Sequence, residues 1–172
     1  MLPDSDGGMM IIEYFHAKDI PVEVYTNHVH RETSSYFATN AIAFTGDQLY
    51  PDVHTTQLEN TLFWPGVLCN EDVDTRVVVI NPYKLTFSFQ IHLILGDGNR
   101  KQTTVLKLAP YTSGIYSLEE LFSDEIEDLF DFTGKNSICV ASQYKQVSYA
   151  MIRDRRTGIV TTMDHLHNYC LY

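Results

Sequence analysis

The stretch 85-LTFSFQIHLIL-95 decides the fold. Leu85, Phe87, Phe89, Ile91, Leu93 and Leu95 fall on one parity, and Thr86, Ser88, Gln90, His92 and Ile94 on the other. An alternation of period two sustained this long is the pattern of a half-buried β-strand, because successive side chains of a strand point to opposite faces. The next residues, Gly96, Asp97, Gly98 and Asn99, tolerate positive φ and read as a hairpin turn. They lead into 100-RKQTTVLKLAP-110, which reads as the returning strand.

Outward from this hairpin the chain remains β-like. Upstream, 75-TRVVVINPY-83 is a β-branched run stopped by the turn signal Asn81-Pro82. Downstream the period changes over about 117–130, where Ser117 and Glu120 have the spacing of a capping box ahead of Leu118, Leu121 and Phe122. A helical excursion is predicted there, with Ser113-Gly114 as the turn before it. Strands resume in SICVASQ, VSYAMIRD and GIVTTMD, with Arg155–Gly158 as the loop between the last two. Before residue 70, IPVEVYTNHVHRE alternates, SYFATNAIAFTG reads as another strand, and TLFWPGVLC is a strand end broken by Pro65-Gly66. Many short strands with one short helix predict an all-β fold, an antiparallel β-sandwich or jelly roll. No Gly-rich phosphate loop follows any strand, which disfavours a doubly wound α/β fold.

From Arg76 to Gly158, the succession INPYKLT, a long amphipathic strand, LKLAP, YSLEELF, SICVASQ and IRDRRTG resembles the sensory-rhodopsin-transducer type of small β-sandwich. The resemblance is one of layout and covers about half the chain. It implies a soluble oligomeric binding or signalling partner rather than an enzyme, with a fold like that of carbohydrate-binding modules. A function carried over on it is fold-level analogy.

A chain of 172 residues is expected to form one domain, read as a flexible tail over 1–9 and a sandwich over 10–172. Twelve basic residues against twenty-two acidic ones give a net charge of −10, which argues against a nucleic-acid partner. No apolar run approaches the length of a membrane span, and the N-terminal residues lack the basic start of a signal peptide. Three cysteines, Cys69, Cys139 and Cys170, form no CxxC pair and suggest free thiols in a reducing, cytoplasmic setting.

Three sets of residues are candidates for function. His28 and His30 share a parity, as do His165 and His167 if the C-terminal stretch is extended. Residues i and i+2 of a strand point the same way about 7 Å apart, a usable spacing for one metal ion. Four imidazoles converging from the two ends would suit zinc or another divalent transition metal, with Glu32 or Asp164 as a base in a metal-dependent jelly-roll enzyme. With seven histidines in the chain, two such pairs also arise by chance, and polar rims or strand edges explain them as well. Trp64, the single tryptophan, and Tyr36 are candidates for a sugar-stacking platform, although Trp64 flanked by Leu62, Phe63 and Val67 also reads as a core anchor. Arg153 and Arg155 make a small anion-binding spot or simply a charged turn. The seven acidic residues between Glu119 and Asp131 lack a calcium-loop pattern and read as a solvated helical face. The reading that follows is a non-enzymatic, homo-oligomeric binding module that takes a protein partner or a ligand such as a carbohydrate.

Overall fold

The computed structural model describes residues 25–29, 36–40, 60–122, 136–144 and 146–166. These form eleven strands and one helical turn: β1 (Tyr25–Val29), β2 (Tyr36–Asn40), β3 (Asn60–Pro65), β4 (Val73–Ile80), β5 (Phe87–Ile94), β6 (Arg100–Gln102), β7 (Leu106–Leu108), β8 (Ser113–Ser117), α1 (Leu118–Leu121), β9 (Ser137–Ser142), β10 (Val147–Asp154) and β11 (Val160–His165). Two antiparallel sheets pack face to face as an all-β sandwich. One runs β11-β10-β4-β8; the other runs β3-β9-β5-β6, with β7 also paired to β5. The β1–β2 hairpin forms a third, two-stranded sheet, and β2 lies alongside β11 with Cα atoms within 8 Å. No helix among the described residues is long and apolar enough to cross a membrane.

The parity read in 85–95 is the parity of the core. Phe87, Phe89, Ile91 and Leu93 are fully buried and share one core with Val77 and Val79 of β4. In register beside them, Ile138 pairs with Leu93 and Val140 with Ile91. Removing each such side chain from water contributes roughly 1.5–3 kcal/mol. Rings bind the layers further: Phe89 meets Tyr116 of β8 edge to face at 5.5 Å, and Tyr83 meets Tyr144 in the same way at 5.5 Å.

Three expectations are corrected. The strand expected over 100–110 is split into β6 and β7 at Thr103. There the Thr103 backbone N–H donates to Ile91 O, and the Thr103 hydroxyl accepts from Ile91 N–H, so a side chain replaces one rung of the ladder. Ser113-Gly114, expected as a turn, opens strand β8. Gly114 sits there because the Tyr116 ring folds back across it: a Cβ at that position would collide with the ring. The capping box is absent. Ser117 is the N-cap of α1 but makes no side-chain cap hydrogen bond, because as the last residue of β8 its side-chain direction follows the strand. Of the expected helix, the structure describes one turn, and 123–130 lie outside the described residues.

One buried carboxamide joins the two sheets. Asn81, at the end of β4, donates from Nδ2 to the carbonyls of Leu85 (2.8 Å), Ala109 (2.8 Å) and Leu108 (3.2 Å), and its Oδ1 accepts from Tyr83 N–H (3.0 Å). Its own N–H donates to Thr112 O at 2.8 Å. Asn81→Ala would strand the buried Leu108 carbonyl and remove the partner of the part-buried Leu85 and Ala109 carbonyls, and is expected to cost about 2–4 kcal/mol. Urea unfolding of the variant checks this; a midpoint equal to that of the parent chain would show that water serves these carbonyls equally well.

Candidate functional site

The side of the four-stranded sheet that faces away from the core carries a row of arginines and a row of apolar residues. The register places Asp74 opposite Arg153, Arg76 opposite Met151 and Val78 opposite Tyr149 between β4 and β10. Across the other neighbours, Ser117 and Ile115 of β8 lie opposite Arg76 and Val78, and Met163 of β11 lies opposite Met151. Val78, Val147 and Tyr149, with Ile80, Met151 and Met163 packed against them, make an apolar cluster separate from the core.

At the polar end Asp74 is only 2% exposed and is shared by two guanidinium groups. Arg76 Nε donates to its Oδ2 at 3.0 Å; Arg153 donates from Nε to Oδ1 at 3.3 Å and from Nη2 to Oδ2 at 3.4 Å. A buried carboxylate of this kind needs such partners, since desolvation otherwise opposes its charge. Arg155 turns away from this pair. Its Nη1 meets Glu119 Oε2 at 2.6 Å, its Nη2 the Cys69 Sγ at 3.4 Å and its Nε the Val73 carbonyl at 3.3 Å. These contacts pin the β10–β11 turn to the chain before β4. Burial pushes the Cys69 thiol up, against the opposing pull of Arg155, which leaves it a poor nucleophile at neutral pH.

The outward side of the five-stranded sheet holds a second polar group. His92 and Cys139 are register partners on β5 and β9, and the Arg100 charge opposes the effect of burial on the Cys139 thiol. Burial pushes this thiol up as well. His92 is 5% exposed, its Nδ1 has no hydrogen-bond partner among the described residues, and burial, helped by the Arg100 charge, lowers its pKa from 6.5 to about 4. A neutral thiol beside a neutral imidazole is not the ion pair that nucleophilic catalysis uses.

The other expected residues fall in different places. Trp64 of β3 lies opposite Ile138 of β9 and packs against the main core, half-buried, with its Nε1 unpartnered among the described residues. Tyr36 pairs with Val29 and His28 with Phe37 in the β1–β2 hairpin; their side chains, and His30 and His167 altogether, lie outside the described residues. His165 ends β11, with Nδ1 3.0 Å from Asp164 Oδ1. Among the described residues no three His, Cys, Asp or Glu side chains gather where a metal ion could be held.

The sheet edges differ in character. In the two packed sheets β3, the β6–β7 pair, β8 and β11 each pair on one side only among the described residues. Pro65 blunts β3, Arg100, Lys101 and Lys107 charge β6 and β7, and Asp164 charges β11. Pro and charge on an edge are the usual devices against strand pairing. β8, Ser-Gly-Ile-Tyr-Ser, has neither, and Ile115 in its middle is 42% exposed. The other exposed large apolar residues among those described, Val105 and Tyr111, lie on the stretch leading into it, and Tyr111 has a positive φ of 54°. Sequence reasoning misses this edge because Gly114 reads as a turn; Ile115-Tyr116, both strand formers, are the available signal.

No protein-family model and no curated protein matches this chain. A solved structure, "Crystal Structure of Thermotoga maritima 1070", superimposes with a TM-score of 0.50 at 15% identity, over 64% of this chain and 95% of that one. At that identity the likeness shows a shared fold.

The depressed pKa of His92 has a definite sign in stability. The unfolded chain takes up a proton below about 6.5 and the folded chain only near 4, so stability falls as pH drops through that window and is level below it. Unfolding free energies from urea titrations at pH 7 and pH 4.5 are expected to differ by about 2–3 kcal/mol more for the parent chain than for His92→Leu. An equal pH dependence in the two would place the acid sensitivity in another group.

Proposed function

We propose that this chain is a non-enzymatic β-sandwich binding module that works as a homo-oligomer, two copies pairing through β8. The observation that carries this is the contrast between edges: among the described edge strands of the two packed sheets, β8 alone lacks Pro and charge, and it presents an exposed Ile115. Antiparallel pairing of β8 with its copy about a twofold axis would continue the four-stranded sheet across the dimer and bury both Ile115 side chains. A partner protein offering an extended segment would use the same backbone groups. The resemblance to the transducer type of sandwich points the same way. The proposal keeps the chain in the cytoplasm, where the buried thiols of Cys69 and Cys139 stay free. It does not use Trp64 as a sugar platform, since that ring packs on the core.

Ile115→Lys introduces on β8 the charge that the other edges carry. Light scattering after size exclusion is expected to show a dimer for the parent chain and a monomer for the variant, with identical far-ultraviolet circular dichroism. A monomeric parent chain at high concentration overturns the reading.

A metal-dependent reading keeps one observation in its favour: β2 lies alongside β11, so the hairpin bearing His28 and the strand bearing His165 are neighbours in the fold. After incubation with zinc, iron and manganese, tag-free protein that retains a full equivalent of metal, lost in His28→Ala or His165→Ala, would support it. Retention below roughly a tenth of an equivalent would remove it.

A further inference from the structure

We propose that Arg76, Arg153 and Ser117 form a binding site for an organic carboxylate with an apolar body on the outward side of the four-stranded sheet. The donors stand on three adjacent strands: Ser117 of β8 lies opposite Arg76 of β4, and Arg153 of β10 lies opposite Asp74, two residues from Arg76 along β4. Asp74 engages Nε of Arg76, and Nε and Nη2 of Arg153. Both Nη groups of Arg76, Nη1 of Arg153 and the Ser117 hydroxyl make no hydrogen bond among the described residues. The two arginine side chains are 25% and 31% exposed, so their free ends are reachable.

Three features select the ligand class. Anchoring each Nε on a buried carboxylate fixes the guanidinium planes before anything binds, which lowers the entropic cost of a bidentate contact. Free Nη groups on planar forks match the two oxygens of a carboxylate. The charges of Asp74, Arg76 and Arg153 sum to +1, and Arg155 is neutralised by Glu119, so the site balances a monoanion rather than a phosphate dianion. Met151 lies opposite Arg76 and Met163 beyond it, which gives the ligand's body an adaptable apolar floor. The assignment does not rest on pairing through β8, because both arginines lie on the inner strands β4 and β10.

The test is titration of the full chain with sodium benzoate, sodium acetate and inorganic phosphate at constant ionic strength, read on the arginine Nε–Hε resonances. Benzoate is expected to shift the Arg76 and Arg153 signals saturably, several-fold more tightly than acetate and more tightly than phosphate. Arg76→Met and Arg153→Met are each expected to weaken benzoate about tenfold or more. Arg156→Met, in the exposed turn, leaves it unchanged. Should a Met variant fail to fold, Arg76→Lys and Arg153→Lys replace it: lysine keeps the charge and lacks the fork, so binding still weakens. The assignment is overturned by the absence of saturation at tens of millimolar benzoate, by phosphate binding as tightly as benzoate, or by equal benzoate affinity in the Arg153 variants.

Discussion

The sandwich depends on the carboxamide of Asn81. Two sheets can pack only if the chain leaves one and enters the other without abandoning backbone groups in the dry space between them. Among the described strands it makes that passage five times, two of them from β4 into β5 and from β7 into β8. Asn81 serves both crossings: its Nδ2 holds Leu85 O on the first and the Leu108 and Ala109 carbonyls on the second, while its backbone N–H donates to Thr112 O. An aspartate would offer oxygens to carbonyls, and an apolar residue would offer nothing. The turn signal Asn81-Pro82 visible in the sequence is therefore also a tertiary joint.

With the crossings held, the two outward faces take different chemistry. On the five-stranded sheet His92 and Cys139 are buried side by side, and burial favours the neutral form of each. On the four-stranded sheet, polar and apolar residues separate along the strands, with Asp74, Arg76 and Arg153 at one end and Val78, Tyr149, Met151 and Met163 toward the other. A recognition surface needs both kinds of group, and here a single sheet supplies them in register. The edge of this sheet, β8, carries the exposed Ile115 beside that surface. The proposed binding on the face and the proposed pairing at the edge would thus share one sheet.

The arginines show how far sequence reasoning reaches at a site. Arg153 and Arg155 stand out as a basic spot in an acidic chain, and they differ by two residues on one strand and its turn. What separates them is partner geometry. Arg155 is held by Glu119, Cys69 and the Val73 carbonyl, and Arg153 shares Asp74 with Arg76 and leaves its Nη1 without a partner among the described residues. Arg76 does not stand out in sequence, because its partner Asp74 is a neighbour on the same strand and Arg153 is far along the chain. Trp64 has the same lesson with the opposite sign: its neighbours Leu62 and Val67 point to the core, and the register with Ile138 puts it there.

Local alternation determined the class of this fold. The parity of Phe87, Phe89, Ile91 and Leu93 is a property of covalent geometry in an extended chain, and it marked the core face directly. The turn at Gly96–Asn99, the strands β4, β9, β10 and β11, and the all-β class follow from the same period and from turn chemistry. Which strands become edges is a different kind of fact. It depends on non-local pairing: β4 between β10 and β8, β5 between β9 and β6–β7. So do the clustering of Asp74 with Arg76 and Arg153, the isolation of His92 and the service of Asn81 to two crossings. A short window of sequence holds Asp74 with Arg76 and Asn81 with Leu85, but not Arg153, Leu108 or Ala109, because pairing between strands joins residues that the chain holds tens of positions apart.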